Sequence, residues 1–252
     1  MDPWIVALLL VAGLAGGFVN ALAGGATFFT FPAMLAAGLP PVIANASNAV
    51  AVWPGNLSGA IAFRRQLPPP TRTLWLAMGL ALVGSCGGAL LLLATEERVF
   101  LALVPWLILG ATLLFAFARP VLRLLRRLRP ARAVGLTPAS FALQAVTAVY
   151  GGYFGGGLGI MLLAVLALCG YEDIRVMNAV KNLLSALVGL VTLLIFAGLG
   201  AVAWPETLVM LAGAVAGGWL GGRLGQRAPA WAIRGFVIAI GLTLSAYYFA
   251  RR

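Results

Sequence analysis

Apolar runs of membrane length dominate the chain, and its polar positions fall mainly in the gaps between them. A helix crosses the ~30 Å hydrocarbon core with about 20 residues. Six uninterrupted runs reach that length, at 43–63, 73–94, 98–118, 176–199, 203–222 and 230–250, and each is read as a spanning helix. Two further apolar regions, 3–37 and 137–170, are cut by glycine: Gly16-Gly17 and Gly24-Gly25 in the first, and GGYFGGGLG from Gly151 to Gly159 in the second. Each reads as a broken helix pair. The pieces 137–150 and 158–169 reach only about 21 Å and 18 Å as helices, short of a full span, so two half-length helices meeting inside the membrane fit the second region better. Whether the broken helices are re-entrant or fully crossing stays open at this stage.

Composition agrees with a membrane protein, since 62% of the 252 residues are hydrophobic and only 9% charged, against roughly 25% charged in a soluble domain. The chain holds no histidine, which excludes Ser-His triads, HExxH zinc sites and imidazole acid–base schemes; the chain reads as a non-enzyme with no metal and no cofactor. Cys86 and Cys169 lie in separate apolar runs and read as small core residues. The net charge of +11, from 17 basic and 6 acidic residues, lies in short loops. Arg119, Arg123, Arg126, Arg127, Arg129 and Arg132 form the largest cluster, between two membrane-length runs. That is the positive-inside pattern, with anionic lipid rather than nucleic acid as its partner.

The same bias sets the orientation. Arg64, Arg65 and Arg72, the cluster from Arg119 to Arg132, and Arg223, Arg227 and Arg234 mark cytoplasmic loops, so Glu96/Glu97 and Glu206 fall outside. Segment 43–63 then runs inward and 176–199 outward, and both termini are expected in the periplasm, with Arg251 and Arg252 as the one discordant pair. With Asp2 and no early Lys or Arg, the first apolar segment reads as retained rather than as a signal peptide.

The two halves also repeat. Gly25 precedes Gly38 by the spacing at which Gly157 precedes Gly170, and an Asn-rich helix start follows each: Asn45-Ala46-Ser47-Asn48, then Asn178-Ala179-Val180-Lys181-Asn182. A repeated unit in opposed orientation is the inverted-repeat plan of secondary transporters, with the binding site where discontinuous helices meet. The expected organisation is all-α and polytopic: residues 1–118 as the first inverted repeat, 119–136 as an arginine-rich cytoplasmic linker, and 137–252 as the second. Each repeat holds a glycine-broken pair and three spanning helices.

The candidate chemistry gathers at these repeated places. Lys181 is the only lysine and lies in a spanning run; intramembrane charge is costly and usually marks a pathway, although a lysine near a helix end also snorkels. Asn178, Lys181 and Asn182 share one helix face, and the repeat alignment sets Asn45 against Asn178 and Asn48 against Lys181, a second polar face from the other half. At the breaks, unpaired N–H groups and a positive helix end make an anion site. There Gly24, Gly25, Gly156 and Gly157 admit close backbone approach, Thr27 adds a hydroxyl, and Tyr150 and Tyr153 flank the second break. Close helix packing is the competing role for these glycines and the expected one for Gly84/Gly88 and Gly213/Gly217. Pro54 reads as a hinge, a substrate contact or an ordinary kink, and Trp4, Trp204 and Trp231 as interfacial anchors.

Taken together, GGATFFTFPAMLAAGLPPVIANASNAVAVWPGNLSGA, its echo GGGLGIMLLAVLALCGYEDIRVMNAVKNLLSALVGLV, the arginine-rich centre and the closing GGWLGGRLGQRAPAWAIRGFVIAIGLTLSAYYF resemble the TauE/SafE sulfite exporter family, also called TSUP. The resemblance covers nearly the whole chain. It implies a bacterial inner-membrane secondary permease for a small sulfur-containing anion (sulfite, sulfoacetate or another organosulfonate), with Asn45, Asn48, Asn178, Lys181 and Asn182 flanking the path. Export is the favoured direction, because an anion leaving an inside-negative cell gains about 2.3 kcal/mol per charge per 100 mV. A passive channel, or a permease for another small anion, is the alternative, and a homodimer stays open as the assembly state.

Overall fold

A computed structural model describes residues 1–23, 25–128, 135, 137–224 and 230–250. The described residues form ten α-helices and no strand: α1 (Pro3–Ala23), α2 (Thr27–Ala36), α3 (Pro41–Ala62), α4 (Arg72–Ala94), α5 (Glu97–Leu128), α6 (Pro138–Tyr153), α7 (Leu158–Leu168), α8 (Ile174–Gly198), α9 (Trp204–Leu224) and α10 (Ala230–Ala250). Four of them, in α1, α4, α5 and α8, carry stretches long and apolar enough to cross a membrane among the described residues. The exterior is apolar, with Val11, Val83, Leu194 and Phe236 facing outward, while Thr30, Asn45, Asn48, Gln144 and Thr192 are buried among a largely apolar interior. An apolar exterior with the polar groups turned inward is what lipid demands, because it offers no partners to polar groups. The chain is a polytopic membrane protein.

Helix ends follow local chemistry. Proline stands in the first turn of α3 and α6, where its missing N–H costs nothing, and the side chains of Thr71, Thr137 and Asp173 accept from Leu74 N, Ser140 N and Arg175 N at the starts of α4, α6 and α8. Glu97, at the start of α5, lends its carboxylate to Val42 N at the start of α3 (2.9 Å), fixing the α4–α5 turn beside that positive helix end. The chain turns after α2 and α7 in the same way. Gly38 and Gly170 both have φ +90°, and the next residues, Leu39 and Tyr171, each donate back to the carbonyl five residues earlier, Met34 O (3.3 Å) and Leu166 O (3.1 Å).

Two expectations are corrected. Gly16 and Gly17 do not interrupt α1; a Cβ on Gly17 would overlap the carbonyl oxygen of Ala214 in α9, so that pair serves helix contact. The stretch after residue 118 is not a loop from its start, since α5 continues through Pro120 to Leu128. Of the arginine cluster, Arg129 and Arg132 lie outside the described residues, as do Arg227, Arg251, Arg252 and Gly24.

Packing partners come in exchanged pairs. If α1–α5 are matched in order to α6–α10, the α1–α9 contact maps onto α6–α4, α3–α9 onto α8–α4, and α3–α8 and α5–α10 onto themselves; all of these contacts are present. Glycine permits the closest of them: Gly13 and Gly17 meet Met210, Gly213 and Ala214, Gly213 and Gly217 meet Leu10 and Leu14, and Gly88 and Gly152 meet Val149 and Ser85. The contacts advance together along α1 and α9, which are parallel. Along α3 and α8 they run opposed: Trp53 Nε1 donates to Ala186 O (3.0 Å), while Gly59 lies against Asn182. α5 and α10 are opposed as well, with Ser245 Oγ donating to Pro105 O (3.0 Å) and Gly241 against Thr112.

Candidate functional site: a polar seam between α3 and α8

Along α3, Asn45, Asn48, Val52 and Asn56 recur at helical spacing and share one face. The facing stripe of the antiparallel α8 is Thr192, Gly189, Val188 and Ser185. These stripes line a cavity of about 50 Å³, closed by Thr27 of α2 and by Gly151, Gly152 and Gly155 at the end of α6. The volume suits a few waters or a comparably small ion. No lining residue is charged. α3 keeps its helical course through Pro54, whose missing N–H leaves Val50 O without its usual partner.

The interior hydrogen bonds fix the upper part of the seam. Asn45, 2% exposed, donates from Nδ2 to Tyr153 O at 2.8 Å, while its Oδ1 is buried without a partner. The Thr30 hydroxyl bonds Asn48 Oδ1. Ser47, one face over, accepts from Ala203 N (2.9 Å), tying α3 to the α8–α9 turn. Thr192 donates to Gly189 O (3.0 Å), which leaves its lone pairs free.

Lys181 and Asn182 continue the α8 stripe one turn before Ser185, about 6 Å further along the helix. The Lys181 stem lies over the first turn of α7, its Cδ 3.5 Å from where a Gly159 Cβ would stand. Asn182 packs on Gly59 of α3. No carboxylate pairs with the Lys181 ammonium among the described residues.

The predicted site residues therefore divide. Thr27, Asn45 and Asn48 meet at the cavity; Lys181 and Asn182 stand at the other end of the same seam, roughly 16 Å from Asn48 at 1.5 Å per residue, rather than opposite it. Asn178 turns away and donates to Ile174 O of its own helix (2.9 Å). Gly156 and Gly157 face Ala111 of α5, not the cavity, and Gly25 faces Phe28. Tyr153 contributes its backbone carbonyl; its ring packs on Phe100 and its hydroxyl reaches Thr95. Tyr150 closes the break by donating to Gly156 O (2.6 Å). Asn56, Ser185, Thr192, Gly151, Gly152 and Gly155 are lining residues that sequence reasoning missed, although Ser185 follows Lys181 by four residues and Asn56 follows Asn48 by eight. Asn20 of α1 does not line the cavity; its amide lies 3.3 Å from the Cβ position of Gly55 in α3.

Comparison with known proteins places the chain. The family described as sulfite exporter TauE/SafE matches residues 9–248. A "Probable membrane transporter protein" of Haemophilus influenzae is 30% identical over 250 residues, covering 96% of this chain and 93% of the relative. "Probable membrane transporter protein YfcA" of Escherichia coli K12 is 30% identical over 247 residues (98% and 90%), and "Probable membrane transporter protein ORF9" of a Sinorhizobium species is 27% identical over 245 (96% and 91%). No solved structure matches the chain. With its matched span running from α1 to α10 and its homologues named as membrane transporters, the chain belongs to the sulfite exporter TauE/SafE family of membrane transporters.

Proposed function

We propose that the protein is a secondary permease of the bacterial inner membrane that moves a small sulfur-containing anion, sulfite or an organosulfonate such as sulfoacetate, along the α3–α8 seam. The observation that carries this reading is Lys181: a cation on a membrane-spanning helix, unpaired by any carboxylate among the described residues, on the stripe that continues into the cavity. Such a charge is retained against an insertion cost of a few kcal/mol, and an anion is the ligand that offsets it. Asn182, Asn56 and Ser185 supply amide and hydroxyl donors beside it.

The halves 1–118 and 137–252 are read as inverted repeats related by a two-fold axis in the membrane plane. Supporting this are the exchanged packing pairs and the antiparallel course of α3 against α8 and of α5 against α10, since an axis along the membrane normal makes self-paired helices parallel. Arginine bias then puts the Lys181 end of the seam toward the cytoplasm, the Asn45 end toward the periplasm and both termini outside. Export down the membrane potential fits a cation at the inner mouth, and the arginines from 119 to 132 suit anionic lipid.

A thermal-shift screen of the detergent-purified protein against sulfite, thiosulfate, sulfate, sulfoacetate, taurine and lactate tests the substrate class. Ligand at 100 times its Kd stabilises by about 2.7 kcal/mol, so sulfite or a sulfonate is expected to raise the Tm in a saturable way. A rise with lactate alone, or with none of the six, contradicts the assignment.

A further inference from the structure

We propose that the Asn45 end of the cavity is a binding site for a sodium ion, distinct from the anion position near Lys181. Its floor is the C-terminal end of α6. A helix ends with four carbonyls that have no intrahelical partner. Here the two amides beyond the helix, Phe154 N and Gly155 N, both turn to Tyr150 O (2.8 and 3.1 Å), and Tyr153 O takes the Asn45 amide (2.8 Å). Among the described residues no backbone N–H reaches Gly151 O or Gly152 O, and both residues line the cavity. They sit at the negative end of the helix dipole, which favours a cation.

The second, independent observation is Asn45. A backbone carbonyl only accepts, so the bond to Tyr153 O fixes which end of the Asn45 amide is nitrogen. That leaves Asn45 Oδ1 as an acceptor in a side chain 98% buried, with no donor to meet it among the described residues. An unmet buried acceptor costs about 1–3 kcal/mol, and a cation coordinated there removes that cost. Thr192 adds a hydroxyl oxygen whose own proton is committed to Gly189 O.

The donor set defines the ion. Neutral carbonyl and hydroxyl oxygens are hard ligands, and no carboxylate lines the cavity to neutralise a divalent ion. A proton finds no titrating group, because the chain has no histidine and the lining has no acid. What remains is a small monovalent cation held by helix-end carbonyls inside the membrane.

The site needs no bound anion, so it is tested without one. The purified full chain is titrated with sodium chloride in choline chloride at constant ionic strength, reading the Tm and the binding of radioactive sodium; potassium chloride is the size control. The expected result is saturable sodium binding with a matching rise in Tm, a smaller response to potassium, and sodium affinity weakened about 10-fold or more by Asn45→Leu. Thr192→Val removes one hydroxyl with little change of shape and is expected to weaken sodium as well, which decides the matter if Asn45→Leu fails to fold. Absence of saturable sodium binding in the parent, an equal response to potassium or choline, or unchanged affinity in a folded variant overturns the proposal. A sodium response without any sulfur-anion response leaves the cation site standing and removes the substrate assignment instead.

Discussion

Gly17→Leu combined with Gly217→Leu is expected to abolish the folded, monodisperse protein, and each change alone to lower its Tm sharply. A Cβ on Gly17 overlaps the carbonyl oxygen of Ala214, and one on Gly217 overlaps that of Leu14. These are backbone atoms of parallel helices, which move only if the helices separate. Overpacking of this kind costs about 1–3 kcal/mol per site and occasionally more, against a whole-fold stability of about 5–15 kcal/mol. The two overlaps lie three residues apart on one interface and come from opposite helices, so either one forces α1 and α9 apart and their effects couple rather than simply add. Gly79→Ala and Gly87→Ala are the controls, because nothing lies within 4 Å of either added Cβ; they are expected to be neutral or to stabilise by roughly 0.5–1 kcal/mol through helix propensity. Size-exclusion profiles and melting curves of the purified variants decide the point. A Gly17→Leu protein that melts like the Gly87→Ala control contradicts the α1–α9 packing.

Lys181→Gln is expected to weaken binding of the sulfur anion about 10-fold to 100-fold, since a charge-assisted bond out of water is worth roughly 1.5–3 kcal/mol. Insertion and folding should survive, because removing an intramembrane charge lowers the insertion cost. Lys181→Arg keeps the charge and alters its geometry; with Gly159 leaving room beside the stem, it should bind with intermediate affinity. Equal affinities for parent and Lys181→Gln at equal folded protein would show that the ammonium merely snorkels.

Much of this architecture is legible in the sequence because membrane helices are set by length and hydropathy, which are local. The two breaks, the runs 73–94, 98–118 and 176–199 that became the apolar spans of α4, α5 and α8, and the repeated Gly38 and Gly170 turns all follow from such signals. The helix ends that were misplaced share a cause. The arginines from Arg119 onward and Gly16-Gly17 read as interruptions in one dimension, yet α5 continues to Leu128 and Gly16-Gly17 sits inside α1, where Gly17 is held by contact with α9. The site was harder to read than the fold. Which glycine of GGYFGGGLG faces the cavity depends on the rotational phase at which α6 ends, and that phase selects Gly151, Gly152 and Gly155 over Gly156 and Gly157. The sequence alignment of the two halves sets Asn48 against Lys181, but α3 and α8 cross antiparallel, so positions matched in that way fall at opposite ends of the seam. Asn56 and Ser185 become notable only once that register is known, because a lone amide or hydroxyl in a helix ordinarily bonds its own backbone, as Asn178 does.

The most direct test of the central claim, that a small sulfur anion crosses along the seam past Lys181, is sulfite efflux from proteoliposomes under an imposed membrane potential. The parent protein is expected to give saturable efflux that speeds up when the sulfite-containing side is made negative, and Lys181→Gln at equal incorporation is expected to lose most of it at low sulfite. Efflux no faster than from protein-free liposomes, or identical in parent and Lys181→Gln at every concentration, would contradict the account.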